Sequence, residues 1–183
     1  MKKKTPFRRS IWKSDSRYDH SDRTIEERRT IGRLAWINAA KINVAPIAPE
    51  QLVEIGASIK RMPKANIATY ENVTDFLNEG IAHEGAGIPI LICMLAAETV
   101  DDGDYPPIDR KVVNGLKRHN AAAADRYDLI AASMAGSANR RRVRTFSEVY
   151  VREVIPVWQK LRVRKSAAEA DNYLANKGSE KKR

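Results

Sequence analysis

The chain has 183 residues, 43% of them hydrophobic, and carries 33 Lys and Arg against 23 Asp and Glu, a net charge of +10. That length and apolar content suit one ordinary domain with its own core. A single cysteine excludes a disulfide framework or a thiolate metal site, and the longest apolar run is only about half a membrane span.

Residues 1–21 are polar, basic and aperiodic, and are expected to form a flexible arm. Its start lacks the apolar stretch of a secretion signal. Phe7, Trp12 and Tyr18 suit either base stacking or packing back onto the domain. A single helical domain is expected over 22–177. Ser21 or Asp22 can cap a first helix running to about Asn43, with Ile31, Leu34, Ala35 and Ile42 near helical spacing. The two prolines in Val44–Pro49 mark a connection. A second helix starts at Pro49-Glu50, carries a stripe of Leu52, Ile55, Ile59 and Met62, and is stopped by Pro63. A third helical region covers about Ala65 to Ala82, with Val73, Phe76, Leu77 and Ile81 as its buried face.

Gly85-Ala86-Gly87 then leads into Ile88–Ala97, a run too apolar for a surface helix and therefore expected to be a buried central one. Pro89 suits its first turn. Cys93 lies in this run as a small core residue, and its lone thiol fits a reducing, cytoplasmic compartment. Asp101, Asp102 and Asp104 are expected in an exposed acidic turn, because the closing glutamate of a calcium loop is missing. From Asp109, Val112, Val113 and Leu116 face inward while Arg110, Lys111, Lys117 and Arg118 face out. Asn120 to Met134 reads as an alanine-rich helix closed by Gly136. Arg140–Arg144 is expected to be a basic loop, with Thr145 or Ser147 capping a long helix that Pro156 kinks. Ser166 caps a last helix to about Asn176, and residues 178–183 are expected to be a disordered basic tail. No stretch alternates with a period of two. The fold class is all-α, a compact, orthogonally packed domain of about eight helices.

The histidines, His20, His83 and His119, are scattered without carboxylates at ligand spacing, so no metal site and no cofactor is expected. Phosphate-loop, dinucleotide and nucleophile-elbow motifs are absent. The basic residues cluster at Lys2–Lys4, Arg8-Arg9, Arg28-Arg29, Arg140–Arg144, Arg162–Lys165 and Lys181–Arg183, which favours a phosphate-tracking surface over uniform solubilising charge. Two features have two readings each. Gly85-Ala86-Gly87 is either a tight helix connection or a row of amides that holds a phosphate oxygen. Asp109 is either an N-cap or a carboxylate facing a cleft. Trp36, Tyr70, Tyr105, Tyr127 and Trp158 could wall a base pocket, but core packing is the expectation for each.

The order GxG, apolar helix, proline-bearing loop, then the aspartate of YPPIDRKVVNGL resembles the helix-hairpin-helix DNA glycosylase superfamily. Gly87 and Asp109 are 22 positions apart, close to that family's spacing. The likeness is closest to an uncharacterised bacterial branch, in which Tyr150, Asp171 and Leu174 have counterparts, and it covers residues 70–177. It implies a helix-hairpin-helix over 72–118, a duplex DNA partner, phosphate contacts from Gly85, Ala86 and Gly87, and Asp109 stabilising the sugar as a flipped base leaves. Bifunctional members carry a lysine where this chain has Pro89, so a monofunctional enzyme without lyase chemistry, or an inactive relative, is implied. Arg110, Lys111, Arg140, Arg141 and Arg142 would add phosphate contacts. The alternative is a non-catalytic basic helical module for RNA or a protein partner; no membrane partner is expected.

Overall fold

A computed structural model describes residues 23–39, 47–100 and 104–180. The expected arm, the two proposed caps Ser21 and Asp22, the end of the first helix beyond Ala39, most of the connection after it, and residues 101–103 and 181–183 lie outside them. Among the described residues there is no strand. The helices are α1 (Ile25–Ala39), α2 (Pro49–Lys60), α3 (Tyr70–Gly80), α4 (Ile88–Glu98), α5 (Arg110–His119), α6 (Ala124–Met134), α7 (Arg140–Val149), α8 (Ile155–Arg162) and α9 (Ala167–Ser179). Since α7 and α8 join through a π-helical turn, Tyr150–Val154, the described residues form eight rods, matching the all-α expectation.

Local chemistry explains most of the boundaries. Thr24 caps α1 in a reciprocal box: its hydroxyl accepts from the Glu27 amide, and the Glu27 carboxylate accepts from the Thr24 amide. Ile31, Leu34 and Ile37 are then buried from α1, and Leu52, Ile55 and Ile59 from α2. The third helix is shorter than its sequence suggested. Ala65–Ile67 form only a 3₁₀ turn, and Ala68 is extended at ψ 137°. Thr69 and Asn72 make a second capping box that starts the α-helix at Tyr70.

At the centre runs α4. Ile88 and Ile90 through Ala97 are all buried, and α1, α2 and α3 pack against it. Each fully buried Ile or Leu there contributes about 1.5–3 kcal/mol relative to leaving it in water. After α4 the chain returns as an extended, buried segment, Tyr105–Ile108. Its start is tied twice: the Tyr105 hydroxyl donates to Pro63 O at 2.8 Å and the Tyr150 hydroxyl to Pro106 O at 2.7 Å. Asp104 is not part of an exposed acidic turn. At φ 52° it accepts from the Trp158 indole N–H at 3.2 Å and from the Arg162 guanidinium at 2.8 Å, which fastens the loop onto α8.

Two further expectations are corrected in the second half, and the place of Pro156 is explained. Arg140–Arg144 is helix, not loop, because Asn139 rather than Thr145 or Ser147 is the cap, accepting from the Arg142 amide at 3.0 Å. Ser147 is fully buried inside α7, where its hydroxyl donates to Val143 O. Pro156 stands in the first turn of α8, and the π turn ahead of it absorbs the hydrogen bond that proline cannot make. Finally, α9 continues past Asn176 to Ser179. Gly178 therefore belongs to the fold, packed against the Lys111 carbonyl of α5 rather than lying in a solvated tail.

Candidate nucleic-acid interface

The glycine bend joins α3 to α4. Gly85 takes φ +80°, the left-handed region that glycine enters without steric penalty. Gly87 is extended at φ −141°, ψ 163° and serves as the N-cap of α4. The Ala86 amide, one of the three expected to meet phosphate, already donates to His83 O at 3.2 Å. Pro89 removes another donor from the helix start. The surroundings are acidic too: Glu84 is exposed beside the bend, and the Glu54 carboxylate lies 3.6 Å from the His83 ring. This geometry matches the tight-connection alternative.

Asp109 sits at the other end of the buried rod and return segment. It is half-buried, and its Oδ1 accepts from the Lys111 amide at 2.7 Å and the Val112 amide at 2.9 Å. Those two bonds neutralise orphan amides of α5, which is the capping alternative. Arg110, next in sequence, is exposed, and Lys111 is half-buried.

The arginines of α7 divide. Arg140 and Arg141 are exposed. Arg142 folds back to donate to Ala135 O at 2.5 Å and Ser137 O at 2.8 Å, closing the turn at Gly136, whose φ is +71°. Its guanidinium is thus spent on the α6–α7 corner. Arg144 pairs with Glu148 one turn along the same helix.

Charge is unevenly distributed along the chain. Residues 23–39 and 47–100 together carry seven Lys and Arg against nine Asp and Glu, of which 47–100 carry three against seven; residues 104–180 carry fifteen against nine. The glycine bend belongs to the acidic part, whereas Arg110, Lys111 and the α7 arginines belong to the basic part. No protein-family model, curated protein or solved structure matches the chain.

One constellation in the basic part was not anticipated. Tyr173 of α9 has the Lys165 ammonium 5.5 Å and the Lys177 ammonium 5.6 Å from its ring centroid. His119, the last residue of α5, meets the same ring edge-on at 5.8 Å, with Nδ1 3.2 Å from the phenol oxygen. Partial burial, then the Lys177 charge, hold the imidazole below its ordinary pKa. The only sequence signal was Tyr173 and Lys177 one helical turn apart; His119 comes from more than fifty positions earlier.

The aromatic residues that might have walled a base pocket are largely core: Tyr105, Tyr127 and Trp158 are fully buried, while Trp36 and Tyr70 are half-buried. A cleft of about 350 Å³ opens between α1, the end of α2 and the end of α4, lined by Arg33, Lys60, Lys64 and Glu98 among others. It does not include the glycine bend or Asp109. Its floor is closed by the Arg33–Glu98 pair, a two-pronged contact of 2.5 and 2.9 Å. Among the described residues, no group of three or more His, Cys, Asp or Glu is placed to hold a metal, and no helix is long and apolar enough to cross a membrane.

Proposed function

We propose that this protein is a non-catalytic nucleic-acid-binding module that engages duplex DNA through the basic half built from α5 to α9. The observation that carries the reading is the uneven charge, fifteen basic against nine acidic residues over 104–180 and seven against nine over 23–39 and 47–100 together. A basic face of this kind exchanges condensed counterions for its own Lys and Arg, giving sequence-independent affinity. Arg140 and Arg141 strengthen the case. Both occupy the first turn of α7, where the helix dipole disfavours cations by a few tenths of a kcal/mol, and both remain exposed. Phosphate contact offsets that cost.

The resemblance to DNA glycosylases supplied a second use for Asp109, base release. The carboxylate's two amide bonds favour a capping role instead, and the module is assigned binding alone. The decisive experiment measures affinity for a short duplex across salt concentrations, with a base-release assay on the same samples. A log–log slope of several units without base release is the expected result. Salt-independent or absent binding would remove the proposal. Base release that disappears in Asp109→Asn, with affinity retained, would restore the glycosylase reading. Preference for RNA or for a protein over duplex DNA would point to the other class of partner.

A further inference from the structure

We propose that His119, Lys165, Tyr173 and Lys177 form a phosphate-binding subsite at the corner where α5 ends beside α9, holding one backbone phosphate of the polynucleotide. The identity of the ligand rests on the function proposed above; its chemistry rests on the corner itself.

Lys165, just before α9, and Lys177, in its last turn, are twelve positions apart, yet both ammonium groups come to the same phenol ring, at 5.5 and 5.6 Å. Two like charges drawn onto one ring repel each other. Among the described residues, neither ammonium group has a carboxylate within 4 Å. Glu169, which feels the Lys165 charge, accepts from the Ser166 amide and hydroxyl in the α9 cap, and Glu180 lies 3.9 Å from Arg118. Arg118 in turn donates to Lys177 O at 2.6 Å, fixing the backbone that carries Lys177.

Around Tyr173 therefore stand two ammonium groups and an imidazole 3.2 Å from the phenol hydroxyl, groups able to donate hydrogen bonds. A phosphate is the ligand class that uses such a set: lysine binds it as a point charge, and hydroxyl and ring N–H groups direct its oxygens. His119 is held below its ordinary basicity first by burial and then by the Lys177 charge. Neither the glycine bend nor α7 contributes to it.

The test uses the full chain, isotopically labelled, and follows the ring resonances of His119 and Tyr173 by NMR. Inorganic phosphate and a short DNA duplex are titrated separately at low salt, into the native protein and into K165A/K177A. Saturable shifts of both rings with either ligand are expected, with apparent affinity for inorganic phosphate at least tenfold weaker in the double variant. The duplex salt slope should fall by about 0.9, one phosphate's worth. Unmoved rings, or a double variant that behaves like the native protein, overturn the subsite. Should phosphate move the rings while the duplex binds through α7 alone, the assignment of the subsite to the polynucleotide is overturned and the nucleic-acid function stands. If phosphate moves them and no duplex binds at all, the subsite stands and the nucleic-acid function falls. Circular dichroism of K165A/K177A confirms that a lost response is not lost fold.

Discussion

Gly115 of α5 and Gly178 of α9 each lie against a backbone carbonyl of the opposite helix. A Cβ on Gly115 would stand 1.9 Å from Leu174 O, and one on Gly178 would stand 1.9 Å from Lys111 O. The pairing of 115 with 174 and 111 with 178 runs the two helices antiparallel. Their backbones approach closely enough for Cα–H groups to meet carbonyl oxygens, a contact recurrent at close helix crossings. This crossing is what carries His119 to Tyr173, so the proposed subsite depends on two residues that touch no ligand.

Gly115→Ala and Gly178→Ala should each destabilise the fold by about 1–3 kcal/mol or more, because the atom in the way is backbone and cannot rotate aside. Chemical denaturation reads this directly as a lowered midpoint. An unchanged midpoint in both variants would mean the helices are further apart than described.

Asp109 separates capping from catalysis. Asp109→Ala should lower stability by about 1 kcal/mol, whereas Asp109→Asn should cost little, since asparagine caps as well as aspartate. Equal losses in the two variants would indicate that the charge, not the amide bonds, matters.

Arg140→Ala with Arg141→Ala should leave stability within about 0.5 kcal/mol, as both side chains are exposed. The same double variant should reduce the DNA salt slope by about 1.8, two phosphate contacts' worth. Fluorescence anisotropy over a range of salt concentrations measures it. Arg142→Ala should behave oppositely, with lower stability and little change in slope, because its guanidinium holds Ala135 O and Ser137 O.

Tyr150 is fully buried and its hydroxyl bonds Pro106 O. Tyr150→Phe should cost about 1–3 kcal/mol, the desolvation of a carbonyl left unpaired. A thermal melt showing no loss would mean that water or another donor replaces the phenol.

His119 gives a pH dependence of known sign. Its pKa in the fold lies below the ordinary value of 6.5, so the unfolded chain binds more protons in the window beneath that value. Stability from this residue is complete above about pH 6.5 and is lost as pH falls through the folded value. His119→Gln should flatten stability over that window, measured as denaturation midpoint against pH.

The all-α class, the buried rod from Ile88 to Ala97, the stripe on α2 and the Ser166 cap were legible in the chain because each is written within a few neighbouring residues. Periodicity and capping are local, and burial of α4 follows from composition alone. The α7 arginines misled for the same reason: four arginines with a valine among them resemble a loop until Asn139 caps them and Val143 and Phe146 find a core. Asp104 looked like surface acid because Trp158 and Arg162, which engage it, are more than fifty positions away. Gly178 looked like the start of a tail because nothing near it in sequence reveals the Lys111 carbonyl. Local residue types decided which segments coil, while contacts between distant segments decided which polar groups are occupied and which remain available to a ligand.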